Sequence, residues 1–191
     1  MAKDRISEIL DYWFLPPGTA GHGKPRALWF AATAAFDAGM RTRFGGLIDA
    51  AVAGRLDHWA RTPRGALALC LLLDQMTRNT GRGTAKAFAG DRRAARLARL
   101  VVARGWDRLF PLQMRKFFYL PFEHGESSGS QHRAIGLFAS LRPPVVLKWA
   151  VAHRDIVARF GRFPHRNAAL GRPDTPVERD YLAGDHQRFG Q

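Results

Sequence analysis

The sequence predicts an all-α protein, and two observations support that fold class. Apolar residues recur at intervals of three and four along nearly all of the 191 residues, which is the spacing of an amphipathic helix. No segment shows the alternation of apolar and polar residues that a half-buried strand requires. Proline, glycine and capping residues divide the chain into about eight or nine helices, and the length is typical of one domain, here residues 1–191.

The first two helices are predicted over residues 4–15 and 28–53. Pro16-Pro17-Gly18 ends the first helix, and the glycine- and proline-rich residues 18–25 form a loop. The second helix contains Gly45-Gly46. Because a glycine weakens a helix interior by about 1 kcal/mol, we expect this pair to bend or split it.

A central helix is predicted over residues 64–80. Thr62-Pro63 supplies an N-cap followed by proline at the first helical position. Residues 67–73 are apolar on every side of the helix, so it should be covered by neighbours in several directions. Gly81 ends it.

Glycines, prolines and two capping boxes delimit the second half of the chain. The boxes are Ser128-Gly-Ser-Gln131 and Thr175-Pro176-Val177-Glu178. The predicted helices are 84–104, 111–122, one from 128 to the break at Leu141-Arg-Pro143-Pro144, 145–160, and one from 175.

Composition excludes several classes of protein. The single cysteine, Cys70, permits neither an internal disulfide nor a cysteine-based zinc site, and its apolar surroundings predict an inert thiol. No apolar run reaches the roughly 18 residues of a membrane span, and the amino terminus does not resemble a signal peptide. We therefore expect a cytoplasmic protein that does not enter the membrane.

The net charge of +14 comes mostly from arginine. Biased codon usage would explain it, and so would an anionic partner, because an uncompensated positive field attracts phosphates. No familiar nucleic-acid motif accompanies the charge. We therefore expect only weak binding to nucleic acid, without sequence preference.

Four predicted helices place an ionisable side chain on their apolar stripe. These side chains are Asp74 with Arg78, then Asp91, Arg115 and His153, the last beside Trp149. A lone buried charge is costly, so they should be paired. Asp74 and Arg78 are four residues apart and can pair within one helix, and Asp91 with Arg115 is predicted as a second pair. Such groups either fix the helix register or line a polar pocket, and the sequence leaves both open.

Three segments concentrate site-like chemistry. The segment 74–84 ends one helix and opens another, where free N–H groups and two arginines could hold an anion, although it lacks a P-loop ending. Glu123-His124-Gly125-Glu126 could serve acid–base chemistry or bind a metal, but it does not fit the two-histidine helical zinc motif, so no metal ligand is assigned. The segment 159–172 is the richest in arginine, histidine and aromatic residues, and is the best site candidate.

Four stretches of the chain share the pattern of a known family. They are Trp29-Phe30 with Phe36-Asp37; Asp74-Gln75, Arg78-Asn79, Arg82-Gly83-Thr84-Ala85 and Ala87-Phe88-Ala89; Tyr119-Leu120-Pro121-Phe122-Glu123-His124 with Glu126 and Gln131; and Arg159-Phe160-Gly161-Arg162-Phe163-Pro164-His165-Arg166-Asn167 with Leu170-Gly171-Arg172. In these stretches the chain resembles the bacterial family called domain of unknown function number 924.

This resemblance implies a fold similar to the tetratricopeptide-like superfamily, in which antiparallel helix pairs stack into a compact array. It implies no established activity, substrate or cofactor. The chain departs from the family at Met76-Thr77, where the family has Phe-Pro, and at Gly125 and Asp174, where it has serine.

The favoured function is binding of a small anion, a carboxylate or a phosphate, since arginine suits both. The candidate ligand-binding residues are Asp74, Arg78, Asn79, Arg82, His124, Glu126, His153, Arg162, His165, Arg166 and Asn167. We expect Arg162, His165, Arg166 and Asn167 to approach the segment 74–82.

Two other functions remain open. One is an acid–base enzyme that uses His124 or His165 with Glu126 or Asp74. The other is a peptide-binding adaptor, which rests on fold analogy alone. The cofactor, the ligand and the oligomeric state are not predicted.

Overall fold

The computed structural model describes residues 4–29, 33–141, 147–186 and 189. The described part of the chain is helical and contains no strand, which confirms the predicted all-α class. It has nine helices when the runs 63–81 and 112–123 are each counted as one. No helix in it is both long and apolar enough to cross a membrane. Phe30, Pro143 and Pro144, which the sequence analysis used, lie outside the described residues.

The helices are separated by short turns and 3-10 segments. In chain order they are α1 (Arg5–Phe14), α2 (Ala34–Val52), α3 (Pro63–Cys70), α4 (Thr77–Gly81), α5 (Asp91–Ala103), α6 (Leu112–Arg115), α7 (Leu120–Glu123), α8 (Ser128–Ala139), α9 (Leu147–Phe160), α10 (Asn167–Leu170) and α11 (Pro176–Ala183). Leu71–Met76 joins α3 to α4 in π-helical turns. The 3-10 segments are Ala27–Trp29, Asp57–Arg61, Ala85–Phe88, Trp106–Leu109, Lys116–Phe118 and Pro164–Arg166.

The helix α2 runs unbroken through Gly45-Gly46, so the expected split does not occur. Its N-cap Thr33 accepts a hydrogen bond from the backbone N–H of Phe36. Met40, Phe44 and Ile48 share one face of α2 and are buried in the core. Burying three large side chains contributes several kcal/mol, which outweighs the roughly 1 kcal/mol that each glycine costs.

The central helix is confirmed. Thr62 caps α3 by accepting from the backbone N–H of Gly65, and Pro63 is its first residue. Residues 66–73 are all buried, because α3 packs against α1, α5 and the segment 57–61. Cys70 is fully buried, and burial raises the pKa of its thiol. Both observations agree with the predicted inert thiol.

One of the two predicted capping boxes forms. At α11, Thr175 accepts from the backbone N–H of Glu178 and Glu178 accepts from that of Thr175. At α8 the N-cap is Ser127 rather than Ser128. The predicted partner Gln131 instead donates to the carbonyls of Glu123 and Gly125, which ties α8 to the end of α7.

The buried stripe of α9 differs from the prediction at Trp149. Ala150, His153, Ile156 and Val157 are buried, whereas Trp149 is 43% exposed. Residue 149 is one position from residue 150, and successive residues point about 100° apart around a helix. The stripe therefore passes through Ala150 and leaves the indole at the surface.

Candidate functional site

Asp74 lies at the centre of a buried polar cluster. It sits in the π-helical turns and is 1% exposed. Its Oδ1 lies 2.7 Å from Nδ1 of His124 and 3.1 Å from Nη1 of Arg78, and its Oδ2 accepts from the amide of Gln75 at 2.6 Å. Burial alone would raise the pKa of Asp74, but His124 and Arg78 outweigh burial and hold that pKa well below its ordinary value. The predicted burial of Asp74 and its pairing with Arg78 are confirmed.

Asp91 connects two arginines from different parts of the chain. Its Oδ1 lies 2.9 Å from Nη1 of Arg78, and its Oδ2 lies 3.0 Å from Nη2 of Arg78 and 3.4 Å from Nη1 of Arg166. The predicted pair with Arg115 is wrong. Arg115 donates to two backbone carbonyls before α6, because Asp91 opens α5 on the side of α4.

Gly90 allows the start of α5 to lie close to the π-helical turns that carry Asp74. A Cβ atom added at Gly90 would overlap the carbonyl group of Leu73, in the π-helical turns that carry Asp74. Only glycine fits against that backbone. The contact sets Asp91, the next residue, beside Arg78 of α4.

Arg166 enters the cluster from the segment Pro164–Arg166. It is 4% exposed, and Nη1 donates to the backbone carbonyl of His124 at 3.1 Å. Its guanidinium lies over the rings of Phe163 and Phe88. Burial and the neighbouring Arg78 lower its pKa to about 10. Its Nε, like that of Arg78, has no hydrogen-bond partner within the described chain.

Glu123 and His153 form a second buried contact beside His124. Oε1 of Glu123 lies 3.2 Å from Nδ1 of His153, which also lies 2.8 Å from the carbonyl of Trp149. Burial, with Asp74 adding to it, raises the pKa of Glu123 to about 8. Burial, with His124 adding to it, lowers the pKa of His153 to about 2. The pKa of His124 is lowered mainly by burial and then by Arg78, so both imidazoles are neutral at pH 7.

His165, the residue before Arg166, makes no hydrogen bond through its ring within the described residues. Neither ring nitrogen has a partner in the part of the chain that the structure describes, and both are buried. Its ring lies 5.6 Å from that of Phe163 and 5.8 Å from that of Phe189. Burial and Arg166 lower its pKa to about 3.

The neutral state of His165 predicts a loss of stability in acid. An unfolded histidine takes up a proton as the pH falls through about 6.5, whereas folded His165 stays neutral. Arg166, His186 and Arg78 disfavour its charged form, whereas Glu126 favours it. Stability should therefore fall by about 2 kcal/mol from this residue between pH 7 and pH 5.

Melting temperatures of wild type and His165→Gln at these two pH values test this expectation. The variant should lose less of its stability in acid than wild type. His58→Gln is the control, because His58 is exposed. An equal acid loss in wild type and His165→Gln would contradict the prediction.

Three other predicted residues form a separate ionic clasp. Arg162 binds Glu178 with two hydrogen bonds of 2.6 and 2.7 Å. Asn167 donates to Asp174 at 2.7 Å. Glu126 accepts from the backbone N–H of Phe163 and, at 2.6 and 2.9 Å, from Arg172. The clasp holds the turn between α9 and α11.

We expected four residues to approach the segment 74–82. Arg166 does so, because it meets Arg78 across Asp91. Arg162 and Asn167 are bound in the clasp instead, and His165 makes no hydrogen bond to that segment. Glu126 contacts neither His124 nor His165, so the acid–base hypothesis keeps only the pair of His124 with Asp74.

Asn79 and Arg82 bind a different carboxylate. Asn79 donates to Oδ1 of Asp37 at 2.7 Å, and Arg82 donates to Oδ2 at 3.1 and 3.2 Å. Asp37 lies in the first turn of α2. This contact ties α2 to the end of α4 and draws both side chains away from the Asp74 cluster.

The grouping of Glu123, His124 and His153 was missed from the sequence. One ligand atom from each residue lies within 4.8 Å of the other two. The first two residues are adjacent at the end of α7, but the third comes from α9. No sequence spacing signals such a contact, because it depends on how α7 and α9 pack.

The fold and this cluster define a helical protein with a buried, ionised polar centre. The family comparison agrees with that class. A family model described as a bacterial protein of unknown function (DUF924) matches residues 9–185, so the chain belongs to that family.

A solved structure of a protein of unknown function from Agrobacterium tumefaciens is similar to this chain. The two are 44% identical with a TM-score of 0.81, and the match covers 93% of this chain and 96% of that one. A comparison with curated proteins found no match.

Proposed function

We propose that the protein binds a small anion, a carboxylate or a phosphate, at Arg166 and His165. One observation carries the proposal: among the described residues, Arg166 is a buried cation without a close carboxylate of its own. Its nearest carboxylate oxygen, Oδ2 of Asp91, is 3.4 Å away and already accepts from Arg78 at 3.0 Å. A buried charge without a well-placed partner is costly, and an anion beside Nε would supply that partner.

The shape of the guanidinium supports an oxyanion. Its planar fork donates two parallel hydrogen bonds to a carboxylate or a phosphate, and such charge-assisted bonds are roughly twice as strong as neutral ones. In Arg166, Nη1 is used by the carbonyl of His124, and Nε has no partner in the described structure. An oxyanion that reaches Nε would satisfy this donor.

His165 and the aromatic rings complete the proposed site. A neutral imidazole carries one N–H donor, and the nitrogens of His165 are buried without a partner in the described residues. Phe163 and Phe88 cover the guanidinium of Arg166. Apolar walls keep water out, which strengthens each electrostatic contact with a bound anion.

Replacing Arg166 with methionine should abolish anion binding. We expect inorganic phosphate or succinate to raise the melting temperature of wild type, by about 2.7 kcal/mol of added stability at 100 times its Kd. Arg166→Met should lose this shift, and Arg166→Lys should keep part of it, because lysine retains the charge but not the fork.

Arg159→Met is the matched control, since Arg159 belongs to the same segment but is exposed and stacks on Phe160. It should keep the full shift. Titration calorimetry with the same two anions gives the affinity directly. Equal anion affinity in wild type and in folded Arg166→Met would contradict the proposal, as would absence of any shift in wild type.

A further inference from the structure

Two helices bring a carboxylate and two imidazoles together in the interior. Glu123 and His124 end α7, and His153 faces them from α9, with the histidine rings 5.9 Å apart. One ligand atom from each residue lies within 4.8 Å of the others. We propose that these three residues form a binding site for one divalent first-row transition metal ion.

Both histidines already have the outer contacts typical of metal ligands. A metal-binding histidine usually donates its other ring N–H to a carboxylate or a backbone carbonyl, which fixes the tautomer and the ring orientation. Nδ1 of His124 lies 2.7 Å from Asp74, and Nδ1 of His153 lies 2.8 Å from the carbonyl of Trp149. With these protons on Nδ1, each ring presents the lone pair of Nε2.

The charges around the three residues favour a cation. Asp74 and Asp91 are matched by Arg78 and Arg166. No guanidinium lies within ion-pair distance of Glu123 among the residues that the structure describes, and its side chain contacts His153 there. Glu123 therefore lacks a cationic side-chain partner there, and a bound dication would supply one and favour its ionised form.

The ligand set selects the class of metal. Imidazole nitrogen with carboxylate oxygen suits zinc, iron, cobalt or manganese, whereas calcium and magnesium prefer oxygen alone. With bonds of about 2.1 Å, tetrahedral ligand atoms stand about 3.4 Å apart. The three ligand atoms lie within 4.8 Å of one another, and the Glu123 carboxylate can turn about its soft terminal torsion to meet an ion. Three protein ligands leave a further position for water or another ligand.

Cobalt(II) is the probe, because its visible absorption reports the number and geometry of its ligands. The full-length chain, without a histidine tag and treated with a chelator, is titrated with Co²⁺ and, by calorimetry, with Zn²⁺. We expect one ion per chain and the intense bands of a four- or five-coordinate site. Glu123→Gln and His153→Gln should each weaken Zn²⁺ binding by at least about 100-fold.

His132→Gln is the matched control, because His132 is exposed on α8 and bonds only to the carbonyl of Ser128. It should bind both metals as wild type does. Asp74→Asn, which alters a positioning residue, should weaken binding by about 10–100-fold and shift the Co²⁺ bands. Circular dichroism checks that each variant folds. Glu123→Gln, which removes the carboxylate ligand at nearly constant shape, remains decisive if His153→Gln does not fold.

Absence of the bands in folded wild type would overturn the proposal. So would wild-type affinity in folded Glu123→Gln, or loss of binding in His132→Gln, which would place the metal at the surface. The inference does not rest on the proposed anion site. Arg166→Met should leave Co²⁺ binding in place, so the metal site and the anion site fail or succeed separately.

Discussion

Replacing Asp74 with alanine should lower the free energy of unfolding by about 3–5 kcal/mol. The substitution removes the carboxylate that Arg78 and His124 contact and leaves the buried guanidinium of Arg78 with Asp91 alone. For a chain of this length, each kcal/mol lowers the melting temperature by about 2–4 °C. Thermal unfolding followed by circular dichroism should therefore show a decrease on the order of 10 °C.

Two further variants separate charge from packing at this position. Asp74→Asn keeps the shape and should lose nearly as much stability as Asp74→Ala, because the missing charge is the main cost. Asp155→Ala is the control, since Asp155 is exposed beside Arg154 and such pairs contribute at most about 1 kcal/mol. A melting temperature of Asp74→Ala within a degree or two of wild type would show that Asp74 is not a structural charge.

Gly90→Ala should have the second largest effect on stability. The added methyl group would overlap the carbonyl of Leu73, which is backbone and cannot rotate away. Overpacking of this kind typically costs about 1–3 kcal/mol, and a backbone neighbour places the variant at the upper end. Asp91 should also move away from Arg78, so urea unfolding should show a lower midpoint.

Gly136→Ala provides the opposite expectation at a matched glycine. Gly136 lies inside α8, and a Cβ atom there would meet nothing within 4 Å. Alanine should therefore stabilise the protein by about 0.5–1 kcal/mol, because it reduces the freedom of the unfolded chain. Similar changes at both positions would mean that α5 does not need the close approach at Gly90.

Contacts within one or two turns of the chain were predictable from the sequence. The pair of Asp74 with Arg78 follows from a spacing of four residues in a helix. The caps at Thr62 and Thr175 follow from side chains that reach N–H groups three residues ahead. In each case the geometry is set locally, so the residue types are enough to predict the contact.

Contacts between distant segments were predicted less well. Each charged residue has several possible partners of opposite charge, and the sequence does not show which of them lies nearest in the folded protein. The predicted pairing of Asp91 with Arg115 was therefore wrong, and the binding of Arg162 to Glu178 was not foreseen. The approach of Arg166 was foreseen, because Gly161 and Pro164 force a turn between the half-buried Phe160 and the buried Phe163.

The sequence by itself determined the helical class, most helix ends and the burial of Asp74, Arg78 and His153. Helical periodicity and capping act within a few residues, so they can be recognised without knowledge of the fold. Only the tertiary structure decided which of those buried groups meet. Glycine at position 90 lets α5 touch the helix that carries Asp74, and the packing of α9 on α7 sets His153 beside Glu123. These contacts join residues far apart in the chain, and their distances follow from packing of whole helices rather than from any local pattern.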